Sequence, residues 1–149
     1  MYHQETSVWP YTAEQAFDLV ADIEHYTDFL PGWRSISIVK REANTLYVTQ
    51  ELGGALFSLQ FNSAATLERP RRIFISSNDS PFQQLSIDWQ FHAQADNTTE
   101  VKLTLIADLA PGPLQVAVQH FFSEAATHLL AYFRKRADRL YNPGTEPLV

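Results

Sequence analysis

The sequence predicts an α+β fold in which a curved antiparallel sheet wraps around one long C-terminal helix, with two short helices after the first strand. Three observations carry this. From Pro113 to Tyr141, the apolar residues Leu114, Val118, Phe121, Phe122, Ala125, Leu129, Phe133 and Leu140 recur at the spacing that gathers side chains on one helical face. From Trp33 to about Leu109 the period falls to two, the mark of strands with one covered face. The links between those strands are short, which favours hairpins over parallel crossovers.

Taken in order, residues 3–9 form a first strand that Pro10 ends. Thr12 and Gln15 then supply a capping box, each side chain satisfying a backbone N–H at the start of a helix. Ala13, Ala16, Phe17 and Val20 give that helix, over 13–21, its apolar face. A second short helix starts near Asp22 and must finish by Leu30, because the residue before Pro31 avoids helical backbone angles. Six strands follow. Ile36 and Ile38 alternate with serines, and Leu46, Val48 and Leu52 alternate with Tyr47, Thr49 and Glu51. Phe57, Leu59, Phe61 and Ala65 alternate with Ser58, Gln60, Asn62 and Ala64, while Ile73 and Ile75 mark a shorter strand. Leu85, Ile87, Trp89 and Phe91 alternate with Ser86, Asp88 and Gln90, and Val101, Leu103 and Leu105 with Lys102 and Thr104.

The breaks carry turn chemistry at Glu42-Ala43-Asn44, Gly53-Gly54, Arg69-Pro70-Arg71, Asn78 to Pro81 and Asp96-Asn97. Gly112 and Pro113 suit the cap and first position of the long helix, and Asn142-Pro143-Gly144 stops it. Arg134, Lys135, Arg136 and Arg139 oppose the negative end of its dipole. At 1.5 Å per residue that helix runs roughly 40 Å. It needs a broad surface, and the sheet is the element able to receive it. One domain over 1–142 and a loose tail over 143–149 follow from this reading.

The totals narrow the function. A chain of 149 residues with 45% hydrophobic residues has ample material for one core. A net charge of −6 argues against a general nucleic-acid or DNA binder, whose phosphate contacts need a basic footprint. Without cysteine, disulfides, thiolate catalysis and cysteine metal sites are excluded together. The N-terminal MYHQETSVWPY lacks the basic-then-apolar pattern of a cleaved signal, and no apolar run approaches the roughly 20 residues of a membrane span. The expectation is a cytoplasmic protein, with peripheral contact at the inner face of the membrane.

Particular blocks sharpen this reading. Val8-Trp9-Pro10-Tyr11-Thr12-Ala13-Glu14-Gln15, the stretch from Asp22 to Trp33, and Ser80-Pro81-Phe82-Gln83-Gln84-Leu85 with Trp89 and Phe91 resemble the Coq10/RatA family. That family belongs to the START-like polyketide cyclase/dehydrase (SRPBCC) superfamily, and the resemblance runs from about residue 3 to 141. It implies the helix-grip (START/Bet v 1-like) fold with an apolar cavity between sheet and helix. Known members bind ubiquinone or related isoprenoid lipids and support respiratory electron transport. A bacterial member is described as a toxin that interferes with ribosomal subunit association. The resemblance therefore implies a non-enzymatic carrier or chaperone for a ubiquinone-like lipid, with no cofactor required. Its alternatives are a toxin acting on the large ribosomal subunit and a cyclase/aromatase-like enzyme. This chain departs from the family pattern at Thr27, where proline is usual, and at Ser80 and Ile87, where glycine is usual. Glycine admits close backbone approach, so Ile87 narrows or reshapes the cavity.

The candidate ligand-binding residues come from three places. Tyr26, Phe29, Leu30, Pro31 and Trp33 form an aromatic block that reads either as a gate over the cavity or as a plug in the core. Phe61, Phe82, Leu85 and Trp89 from the sheet, and Phe121, Phe122, Ala125 and Leu129 from the helix, carry the same two readings. A buried Trp89 would need a partner for its indole N–H. His120, Glu124 and His128 share one helix stripe whose ends lie about 12 Å apart, too far for one ion, so they read as a solvated face. Asp22 and His25 can touch and raise the histidine's basicity. Together with Asp88, which alternates outward, they are the weak acid–base candidates of the enzymatic alternative. Arg69, Arg71 and Arg72, and the cluster from Arg134 to Arg139, read as solubilising charge that could instead meet anionic lipid or ribosomal RNA.

Overall fold

In the computed structural model, which describes residues 1–142, the alternating segments become seven strands. These are β1 (Tyr2–Trp9), β2 (Trp33–Glu42), β3 (Thr45–Gly53), β4 (Ser58–Glu68), β5 (Arg72–Ser77), β6 (Phe82–Ala93) and β7 (Thr99–Leu109). They form one antiparallel sheet in the order β1-β7-β6-β5-β4-β3-β2. Each hairpin pairs its neighbours, and β1 closes the far edge against β7, with Trp9 opposite Thr99 and Tyr2 opposite Ile106. The expected tail, 143–149, lies outside the described residues.

Two helical segments separate β1 from β2. Helix α1 (Ala13–Ala21) begins at Thr12 with the expected capping box, Gln15 N–H donating to Thr12 Oγ1 at 3.2 Å and Thr12 N–H to Gln15 Oε1 at 3.0 Å. The second is a 3₁₀ helix over Ile23–Asp28, which buries Ile23 and Tyr26. Edge strand β2 carries two register shifts, between Trp33 and Ser35 and between Ile38 and Lys40. Such bulges twist an edge away from further pairing.

Helix α2 (Gln115–Tyr141) lies on the concave face of the sheet. Its start corrects the sequence expectation. Gly112 to Gln115 close a turn, Gln115 N–H donating to Gly112 O at 3.2 Å, so helical bonding begins only with Val118 N–H to Leu114 O at 3.0 Å. The buried stripe is Val118, Phe122, Ala126, Leu129, Leu130, Phe133 and Ala137, and Phe121 and Ala125 are half-buried. Leu114 and Leu140, expected on that stripe, are exposed. Leu114 precedes the first helical turn, and at the other end Tyr141 turns toward α1, its hydroxyl donating to Gln15 O at 3.0 Å.

The interior falls into two clusters. Around α1 and the second half of α2, Trp9, Phe17, Tyr26, Trp89, Phe91 and Phe133 pack together. Around the first half of α2, Leu52, Leu59, Phe61, Phe82, Leu85 and Phe122 form the second. The latter lies at the end where β2 starts, the β3–β4 and β5–β6 hairpins turn, and β7 passes into α2.

Candidate ligand cavity and its mouth

Between the concave sheet and α2 lies a cavity of about 30 Å³. That holds a water molecule or two and is far below the ~300–1,000 Å³ of ordinary small-molecule sites. Aromatic and aliphatic side chains fill most of the expected hollow. Ile87 is one of them and lines the cavity, where glycine would leave room.

Outside this cavity, a groove of about 350 Å³ runs between the loop Leu30-Pro31-Gly32-Trp33, the glycines 53 and 54, and α2 from Phe121 to Tyr132. Leu30, Trp33 and Leu129 line both spaces and so form the partition between them. The loop can lie this close to α2 because of Gly32. Its φ of +87° belongs to the left-handed region, and a Cβ there would stand 2.4 Å from the Phe121 ring. Gly53 N–H donates to Gly32 O at 2.9 Å and ties the loop to β3. A larger open trough, about 680 Å³, lies across the outer face of the sheet over Ala64, Ser76 and Ser86, with polar Asn62 and Gln84 among its walls.

The sequence-derived site residues divide between these spaces. Tyr26, Leu30, Trp33, Phe61, Leu85, Trp89, Phe122 and Leu129 line the inner cavity. Pro31, Phe121 and Ala125 line the groove, with Leu30, Trp33 and Leu129 again. Phe29 and Phe82 line neither. Phe29 packs edge-on against Tyr26 and Phe133 and lies under the Arg136 guanidinium, 5.3 Å from its ring centre. Phe82 is wedged between Phe61 and Phe122.

Two polar residues of the cavity wall escaped the sequence reading. Gln50 on β3 and Ser63 on β4 stand on the inward phase of their strands and are 9% and 7% exposed. Gln50 Nε2 donates to Ser63 Oγ at 2.9 Å. The signal was present: each occupies a place in the alternation where an apolar residue belongs.

The ionisable candidates stand elsewhere. Asp88 points outward and takes two bonds from Arg72, Nε to Oδ1 at 2.9 Å and Nη2 to Oδ2 at 3.1 Å. Asp22 and His25 meet at 2.8 Å, both side chains more than half exposed, and the hydrogen bond to Asp22 raises the histidine's pKa. His120, Glu124 and His128 are exposed, the last two at the rim of the groove. Tyr26 is the titratable group on the cavity wall; its hydroxyl donates to Val20 O, and burial drives its pKa far upward, so it stays neutral. Four of the arginines expected to form basic patches face carboxylates: Arg69 with Asp18, Arg72 with Asp88, Arg134 with Asp138 and Arg136 with Asp28. Among the described residues, no helix is long and apolar enough to cross a membrane.

Comparison with known proteins gives this geometry a context. Residues 9–134 match the family described as "Polyketide cyclase / dehydrase and lipid transport". The ribosome association toxin RatA of Pseudomonas aeruginosa is 33% identical over 140 residues, covering 93% of this chain and 96% of that protein. The mitochondrial coenzyme Q-binding protein COQ10 of Dictyostelium discoideum is 27% identical over 135 residues, covering 88% of this chain and 66% of that one. Among solved structures, the Zhui aromatase/cyclase of a Streptomyces species superposes with a TM-score of 0.81 at 14% identity, over 97% of this chain and 98% of that chain. At that identity the likeness speaks for the fold alone.

Proposed function

Because the chain belongs to the polyketide cyclase/dehydrase and lipid transport family, we propose that it is a binding protein, a carrier or chaperone, for a ubiquinone-like isoprenoid lipid that serves respiratory electron transport. The observation that carries this reading is the pair of apolar spaces, cavity and groove, separated only by Leu30, Trp33 and Leu129. Parting those three side chains joins the spaces into one channel from the molecular surface to the sheet. Each 100 Å² of isoprenoid tail removed from water contributes about 2.5 kcal/mol, so a few prenyl units suffice for stable loading. The acid and base candidates Asp22, His25 and Asp88 do not line either space, which favours binding over catalysis. A relative of similar sequence bears the name of a coenzyme Q-binding protein.

The mouth suits a membrane surface. Leu56 and Val116 are 78% and 82% exposed. Both belong to the mouth end, where Phe57 packs against Phe121. From Leu109 to Ser123 the chain carries no Asp, Glu, Lys or Arg. Loops of this composition enter the interface of a bilayer at little electrostatic cost.

The test is organic extraction of protein purified from a quinone-producing host. A quinone is expected in the extract, and Ala125→Arg, which fills the groove from a half-buried helical position on its wall, is expected to remove it while leaving the fold intact. An extract free of isoprenoid lipid overturns the proposal.

A second reading has one observation in its favour, the RatA name of a relative that matches nearly the full chain. On this reading the surface acts on the large ribosomal subunit. The pairing of four arginines with carboxylates weakens it, since neutralised cations release few counterions from RNA. Overexpression with no change in ribosomal subunit profile removes it.

A further inference from the structure

Besides the aromatic Tyr26, Trp33 and Trp89, the polar side chains on the inner cavity wall are Gln50 and Ser63, set among aliphatic and phenyl groups. Register places Gln50 opposite Phe61 and Ser63 opposite Val48, so the two side chains meet diagonally across β3 and β4 on the concave face. An amide side chain offers two N–H donors and a carbonyl acceptor, and a hydroxyl offers one donor and two acceptor sites. The single bond between them, Gln50 Nε2 to Ser63 Oγ, uses one donor and one acceptor. The second amide N–H, the amide carbonyl and the serine proton are bonded to no described residue, although both side chains are more than nine-tenths buried and line the cavity. This spare hydrogen-bonding capacity lines the cavity, whereas a wall of valine and leucine at these two positions would offer a ligand none.

Charge settles what kind of partner fits. Among the described residues, no Asp, Glu, Lys, Arg or His lines the inner cavity, and the Tyr26 hydroxyl is committed to Val20 O. A carboxylate or phosphate brought there would lose its hydration with no cation to offset it. A neutral oxygen would instead find two donors and an acceptor. We propose that Gln50 and Ser63 form the head-group site of the carrier described above, and that they select neutral lipids bearing a carbonyl or hydroxyl oxygen over acidic ones. This rests on the carrier reading and adds the head-group chemistry to it. The lipid enters oxygen first. Its polar atom reaches the Gln50–Ser63 pair while its ring parts Leu30, Trp33 and Leu129 and its tail lies along the groove.

The experiment is a titration of the purified full chain with decylubiquinone and, separately, with palmitate, followed by quenching of the fluorescence of Trp33 and Trp89, which line the cavity. Decylubiquinone is expected to bind at least tenfold more tightly than palmitate. Gln50→Leu and Ser63→Ala are each expected to weaken decylubiquinone binding roughly tenfold, the effect of losing one or two hydrogen bonds. The double variant should be little worse than the weaker-binding single one, because the pair acts as a unit. Thermal melting checks the fold of each variant, and Ser63→Ala, the smaller change, decides if Gln50→Leu melts early. Unchanged decylubiquinone affinity in the folded variants, or palmitate bound as tightly, overturns the head-group site and leaves the carrier reading standing. No binding of either probe by the unaltered protein overturns both.

Discussion

At the end of the molecule where α1 meets the last turns of α2, side-chain hydrogen bonds cross between elements. The Tyr11 hydroxyl donates to Asp138, Thr99 Oγ1 donates to Tyr11 O at 2.8 Å, and Tyr141 Oη donates to Gln15 O at 3.0 Å. Arg134 Nε adds a further bond to Asp138 at 3.1 Å. At the mouth, Arg34 Nη2 donates to Gly54 O at 3.0 Å, but the contacts that reach α2 are between rings. Phe121 meets Trp33 and Phe57 with ring centres 5.8 Å and 5.4 Å apart, and beside them run Gly32, Gly53 and Gly54. A hydrogen bond fails within a few tenths of an ångström or a modest rotation, whereas two rings slide with little change in energy. The first end fixes the geometry of the grip, and the second is free to change it. An opening that admits a bulky ligand belongs at the mouth.

Truncation should separate the two ends most strongly. Phe133 is 1% exposed and meets Tyr26, Phe29 and Trp89 edge-on, so Phe133→Ala should cost about 3–5 kcal/mol of unfolding free energy. Half-buried Phe121, already beside an open groove, should cost about 1–2 kcal/mol as Phe121→Ala, with a larger effect on lipid loading. Urea unfolding of both variants checks this, and equal costs would break the contrast.

Removing one tie at the fixed end gives a smaller effect that depends on pH. Burial and the bond to Asp138 push the Tyr11 hydroxyl up to about 12 from its ordinary 10.0. The folded chain holds that proton more tightly than the unfolded chain, so this contribution to stability is full below about pH 10 and is lost as pH rises through about 12. Tyr11→Phe should lower stability by about 1–2 kcal/mol at neutral pH and make the alkaline loss shallower, as read from melting temperatures across pH 7–11. An alkaline slope that stays the same would show that the Tyr11–Asp138 tie contributes nothing to it.

The smallest effect concerns His25, on the exposed edge of the 3₁₀ helix. Its pKa is raised by the hydrogen bond it donates to Asp22, so its stabilising contribution is present at acidic pH and fades as pH rises through the raised value. Proton NMR should place the His25 pKa above that of an unconstrained histidine. Asp22→Asn should bring it down with little change in melting temperature, as befits a surface pair. A histidine that titrates identically in both proteins would deny the contact.

Much of the fold could be read from the chain because strand and helix periods leave a residue-by-residue imprint. The capping box at Thr12 and Gln15 and all seven strands follow from local chemistry that packing had no reason to override. The start of α2 did not follow. Gly112 and Pro113 suit a cap, but the turn they make with Gln115 delays the helix by two residues. The candidate site was legible in outline, since eight of its named residues do line the inner cavity. Phe29 and Phe82 are equally aromatic, and only three-dimensional packing directs them into neighbouring rings instead. The size of the cavity is likewise decided by how Ile87 and its neighbours fill a shared volume, which no pairwise spacing encodes. Gln50 and Ser63 were the opposite case, two polar residues out of phase with their strands in plain sight.

Gly32 gives the mouth an unusual bearing surface. With no side chain between them, the loop backbone stands directly against the Phe121 ring. The loop side of such a joint has no side chain to reorient, so between its tie to β3 and the ring it yields in small continuous steps instead of snapping between two positions. A threshold built this way would adjust to the girth of whatever passes, and a single methyl group at that spot would be enough to wedge it ajar.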